Sequence, residues 1–172
     1  IITPSNELKT GYRFYAYNKP SLAYLALIDL LGGNLFKKCL LEYMGRWHGK
    51  HPMPWDFFYT FNDVSGRSLN WFWNSWFFSG NYIDLSVRKV EKSDDGYVVY
   101  VRNTGGFAVP FDVVINYEDG TIESVHQTPA IWEQNEKEVI VNLGSRKSIR
   151  EIKLEGDLFM DANVIDNIWM NK

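Results

Sequence analysis

The hydrophobic pattern of this chain changes period once, near Gly80-Asn81, and that change limits the folds open to it. Upstream, apolar side chains recur every three or four residues, the spacing of one face of a helix. Leu22, Leu25, Ala26 and Leu30 form one stripe, begun by Pro20 and stopped by Gly32-Gly33. Leu35, Phe36, Cys39, Leu40, Tyr43, Met44 and Trp47 form a second. Pro52 and Pro54 then interrupt the chain. A third helix is expected from about Trp55 to Val64, and a fourth from Ser68 to Gly80, with Leu69, Phe72, Trp73, Trp76 and Phe77 on one face. From Tyr82 the period becomes two, the alternation of a strand with one buried face. Strands are expected around Leu85–Val90, Tyr97–Val101, Val109–Tyr117, Thr121–His126, Lys137–Leu143 and Ile149–Leu154, with turns at Asp94-Asp95-Gly96 and Asp119-Gly120. About seven short strands at even spacing predict an antiparallel immunoglobulin-like β-sandwich. The fold class is therefore α+β in two parts: a small helical array over residues 1–80, then the sandwich over 81–172.

Composition agrees with folded structure: 45% of the 172 residues are hydrophobic, 23% are charged and seven are Trp. A net charge of −3 gives no basic surface for nucleic acid. The longest apolar stretch, Leu22 to Leu31, carries Asp29 and falls short of the roughly 20 residues a membrane span needs. The single Cys39 precludes an intrachain disulfide and reads as a small buried hydrophobe, so redox chemistry leaves the cellular compartment open. The chain opens on Ile1 without an initiator Met, which suits a fragment or a processed product.

Candidate chemistry is sparse. Three histidines are present, His48, His51 and His126, and His48-Gly49-Lys50-His51 has neither the spacing nor the intervening acid of a zinc-binding helix. No G-x-S-x-G elbow or glycine-rich phosphate loop occurs. Asp161-Ala162-Asn163-Val164-Ile165-Asp166-Asn167 lacks the sixth-position glycine and closing acid of a calcium loop and reads as Asx turns.

The order of motifs is more specific. Tyr17-Asn18-Lys19-Pro20 precedes a leucine-rich helix ending Leu31-Gly32-Gly33; His51-Pro52-Met53-Pro54-Trp55-Asp56-Phe57 and Gly66-Arg67-Ser68-Leu69-Asn70-Trp71-Phe72-Trp73 follow. This succession resembles the region after the zinc site in aminopeptidase N-type zinc metallopeptidases, the gluzincin aminopeptidases. The likeness extends more loosely to Asn103-Thr104-Gly105 and Asp161-Ala162-Asn163. The H-E-x-x-H motif of that family is absent from these residues.

The resemblance implies the C-terminal part of a zinc aminopeptidase that releases the N-terminal residue of a peptide. The zinc, its ligands and the general base would lie in an upstream catalytic domain of the same polypeptide, leaving no metal and no activity in this chain alone. It also implies a catalytic role for Tyr17, whose hydroxyl would donate to the tetrahedral oxyanion. Tyr12 and Tyr15 lack the x-Lys-Pro context. Tyr17 should then lie just ahead of the first helix, with its hydroxyl open to solvent. The alternative is a non-catalytic binding or structural sandwich. Trp132, the one Trp of the expected sandwich away from its last residues, offers a poor sugar-stacking platform.

Overall fold

The computed structural model describes Glu7 and residues 11–171; residues 1–6, 8–10 and 172 lie outside the described part. The chain divides into two compact units between Gly80 and Asn81.

The first unit holds α1 (Lys19–Leu31), α2 (Gly33–Trp47), α3 (Pro54–Ser65) and the short α4 (Asn70–Trp73). A π-helical turn, Phe14–Asn18, runs directly into α1, and a second, Asn74–Phe78, continues α4. Two sequence expectations are corrected here. The helical path begins ahead of Pro20, so Tyr17 lies within it rather than before it. The fourth helix is a single α-turn that widens into the π register rather than a regular helix to Gly80. Gly32, at φ 76° and ψ 147°, is the sole residue between α1 and α2. That backbone region is costly for any residue with a Cβ, so the chain turns there on glycine. Pro54 opens α3, and the Asp56 carboxylate accepts the Met53 N–H at 2.7 Å, capping the first turn.

Packing in this unit is dominated by rings. Phe57, Phe58 and Phe61 of α3 meet Tyr43 and Phe36 of α2 at 5.2 and 5.6 Å and Trp73 of α4 at 4.9 Å. Ala23, Ala26 and Leu27 of α1, together with Phe61, Leu69, Phe72 and Trp76, are wholly buried. The side chain of Asn62 ties α3 to α4: its Oδ1 accepts from Trp73 Nε1 at 3.0 Å and from the Leu69 N–H at 3.2 Å, and its Nδ2 donates to Asn70 Oδ1 at 2.9 Å. The stripe expected on α2 is wider than the surface its neighbours cover. Cys39 is buried, while Leu40 and Met44 remain 38% and 52% exposed.

The second unit holds two antiparallel sheets. One has the order β1 (Leu85–Ser93), β2 (Gly96–Asn103), β5 (Glu138–Leu143). The other has the order β4 (Ile122–Gln127), β3 (Phe111–Tyr117), β6 (Ile149–Glu155), β7 (Ile168–Met170). Each sheet buries alternate side chains, as a period of two requires: Val99 and Val101 with Val139 and Val141, and Val113, Ile115 and Tyr117 with Ile152 and Leu154. Strand β7 was not anticipated. Trp132 lies in a 3₁₀ turn, Pro129–Trp132, is 1% exposed, and donates its Nε1–H to the Val109 carbonyl at 2.8 Å. Among the described residues no helix is long and apolar enough to cross a membrane.

Candidate functional site

The Tyr17 segment starts at Gly11, whose φ of 78° turns the chain, and the Gly11 carbonyl accepts the Tyr15 N–H at 3.0 Å. The π-helical turn that follows is closed by the Lys19 N–H bonding back to the Phe14 carbonyl. The physical reason for this register lies one residue on. Proline inside an α-helix offers no donor and collides with the carbonyl four residues back, here that of Ala16. A wider turn just ahead of Pro20 relieves both. The Tyr17 carbonyl accepts Ser21 Oγ at 2.7 Å.

The Tyr17 side chain is 60% exposed and meets the edge of Tyr12, with ring centroids 6.1 Å apart at 79°. The side chain is exposed, but where the resemblance implied a hydroxyl open to solvent, the Tyr17 hydroxyl has an in-chain partner in Tyr12. A hydrogen bond with Tyr17, then its electrostatic influence, hold the Tyr12 phenol proton more tightly than usual. Lys19, two residues along, is buried at 6% exposure and its Nζ donates to the Ser79 carbonyl at 3.3 Å. Burial pushes its ammonium below the ordinary lysine range. Nothing in the sequence pattern set Lys19 apart beyond its place in the Tyr17-Asn18-Lys19-Pro20 stretch.

On the far side of α1 lies an apolar groove of about 570 Å³, walled by Tyr24, Phe36, Leu40, Tyr43, Met53 and Phe57. Ala16 and Pro20 reach its edge, whereas Tyr17 does not line it. The Pro52-Met53-Pro54 stretch forms part of the wall, so the conspicuous His51–Phe57 motif shapes a concavity and caps α3. Burial raises the Tyr24 and Tyr43 phenols, each helped by a nearby acidic group, Tyr43 for the former and Asp56 for the latter. Both phenols therefore hold their protons further into the alkaline range than usual.

The histidines do not assemble with other donors. His48 and His51 are exposed around the end of α2, while His126 sits on β4 with its Nδ1 2.8 Å from Asp112 Oδ1. Among the described residues no three His, Cys, Asp or Glu side chains converge in a way that could hold a metal ion. These donors do not fit a zinc site. Burial raises the Cys39 thiol, the opposite of what a nucleophile needs.

The two looser motifs of the second unit have structural work. Asn103, 5% exposed, donates Nδ2 to the Phe107 carbonyl at 3.0 Å and accepts the Gly106 N–H on Oδ1 at 2.7 Å. Gly105 is required by proximity, since a Cβ there would stand 2.3 Å from the Tyr82 carbonyl oxygen. Asp161 accepts the Leu85 N–H at 2.7 Å and the Asn163 N–H at 2.8 Å, the latter an Asx turn as expected.

No family model matches the chain, and no curated protein matches its sequence. A solved structure does. The crystal structure of Legionella pneumophila aminopeptidase A in complex with aspartic acid matches with a TM-score of 0.56 and 18% sequence identity, over 81% of this chain. The likeness is one of fold. This chain spans 16% of the length of that aminopeptidase chain.

Proposed function

We propose that this chain is the C-terminal portion of a zinc aminopeptidase of the gluzincin type. It would contribute the closing helices of the catalytic region (1–80) and an immunoglobulin-like sandwich (81–172). The observation that carries the reading is the Tyr17-Asn18-Lys19-Pro20 motif at the head of the helical unit, in a chain whose fold is similar over 81% of its length to a solved aminopeptidase. The motif order alone is short, and the fold alone is silent on chemistry. Together they support the reading of Tyr17 as a catalytic residue. Seven strands in two antiparallel sheets support the sandwich reading.

In this reading zinc, its ligands and the general base come from upstream residues of the same polypeptide, and a peptide is the substrate. This chain by itself does not hydrolyse peptides. Its own contribution is the Tyr17 O–H, donated to the substrate carbonyl oxygen as that oxygen gains negative charge. Such a bond strengthens toward the transition state and so acts on turnover rather than on binding. The test is Tyr17→Phe in the full-length polypeptide. Loss of one oxyanion donor costs about 2.7–4 kcal/mol, so kcat should fall about 10²–10³-fold with KM little changed. An unaltered kcat assigns Tyr17 to packing and overturns the proposal.

A further inference from the structure

We infer that Lys19 is a positioning residue for Tyr17, its ammonium anchored on the Ser79 carbonyl to hold the π-helical turn that directs the Tyr17 hydroxyl. The inference rests on the role proposed above for Tyr17.

Lys19 is the only charged side chain among the buried residues described. A lysine that merely covered helix surface would lay its stem on the apolar neighbours and carry its amine to water. Here the amine runs inward to a carbonyl sixty residues away in sequence. Burying that charge is unfavourable, and the lowered ammonium pKa reflects it. The site it reaches is firm. Ser79 follows the second π-helical turn, in which Trp76 and Phe77 are 0% and 7% exposed, and its hydroxyl is bonded to the Ser75 carbonyl.

The same residue closes the first π-helical turn through its backbone, by the Lys19 N–H bond to Phe14. Backbone and side chain of Lys19 thus fix both ends of one short lever. A π turn contains one residue more than an α turn and persists where its surroundings over-determine it. Pro20 favours a wide turn ahead of it but does not by itself fix which residues the turn spans, so if the anchor is lost the turn can shift its register by one residue. Residues before it would then rotate by about 100° relative to α1, the step of one residue in a helix. Tyr17 would point elsewhere, although nothing touching its own ring had been altered.

The test labels tyrosine ring carbons in this chain and compares wild type with Lys19→Met, which keeps the length and removes the donor. The Tyr17 and Tyr12 resonances are expected to move and the Lys19 amide to exchange about tenfold faster or more, with the Phe72 and Trp76 core signals unchanged. Lys19→Arg, which retains a cationic donor, should return Tyr17 toward its native position. If Lys19→Met does not fold, Lys19→Gln takes its place: neutral and too short to reach Ser79, it should displace Tyr17 in the same way. A stationary Tyr17 resonance in the variant that folds overturns the inference. In the full-length polypeptide Lys19→Met should lower kcat about tenfold or more with KM within about twofold, and Lys19→Arg should restore part of it. If Tyr17→Phe is inert, the proposed function falls. If Tyr17→Phe is damaging and Lys19→Met is not, the positioning role alone falls.

Discussion

Asn62 offers the sharpest test of how the helical unit holds together. Its carboxamide is the junction between α3 and α4, and replacing it with Ala removes three hydrogen bonds that differ in consequence. Asn70 is exposed, so water takes over its share and little is lost. Trp73 is only 3% exposed, and its indole N–H would be left without an acceptor, at a cost of about 1–3 kcal/mol. The Leu69 N–H, at a longer 3.2 Å, adds a smaller amount that the loop recovers in part by relaxing. The expected destabilisation is about 2–4 kcal/mol, a large part of what a unit this size possesses. Five of the seven tryptophans, Trp47, Trp55, Trp71, Trp73 and Trp76, lie in this unit, so urea melts of the whole chain followed by tryptophan fluorescence report on it. Asn62→Asp keeps the acceptor and should stay within about 1 kcal/mol of wild type. Trp73→Phe removes the donor itself, so the cost of Asn62→Ala should shrink by about 1 kcal/mol or more in that background. An Asn62→Ala variant within about 0.5 kcal/mol of wild type, or a cost unchanged by Trp73→Phe, would refute the account.

Other outcomes are as specific. Gly105→Ala should cost about 3 kcal/mol or more, because the new methyl meets main-chain atoms that cannot swing aside; a thermal midpoint equal to wild type would contradict it. Trp132→Phe leaves the Val109 carbonyl without its buried donor and should destabilise the second unit by about 1–3 kcal/mol in denaturant titration. The Thr121 hydroxyl and N–H, then Lys147, hold the Asp119 carboxyl down at about 2. Its contribution to the β3–β4 turn is therefore complete above the ordinary carboxyl range and is lost as pH falls through about 2. An NMR titration that returned the ordinary 3.8 for Asp119 would refute that.

The change of period at Gly80 was legible because the two halves differ in which atoms they must hide. A helix face repeats every three to four residues and a strand face every two, and the aromatic density made both faces plain. The start of α1 was read to within a residue, but the helical turn ahead of it was not foreseen. Pro20 is a favoured first-turn residue, and sequence alone does not show that a π turn can carry a helix past it. The end of the helical unit failed likewise, since Asn74–Phe78 has the same apolar spacing in an α or a π register. Strand β7 was missed because its three residues, Ile168 to Met170, are too few for alternation to register, and its ladder to β6 is a tertiary fact. Tyr17 was singled out by its motif alone, whereas its bond to Tyr12 and the reach of Lys19 to Ser79 depend on side chains meeting through the fold.

The strand order β1-β2-β5 has a consequence for synthesis. The β1–β2 ribbon can form as soon as Asn103 has emerged, yet the strand that pairs with its second edge begins only at Glu138. At ribosomal speeds of about 5–20 residues per second, those roughly 35 residues leave the edge of β2 open for a few seconds. That edge carries Val99 and Val101, an apolar template for any passing strand. The intervening β3–β4 hairpin is local and folds fast, but it joins the other sheet and cannot shield it. Slow translation across 104–137 would lengthen this exposure, so the yield of soluble chain should depend on the codons of a segment that lies outside the β2–β5 ladder closing that edge.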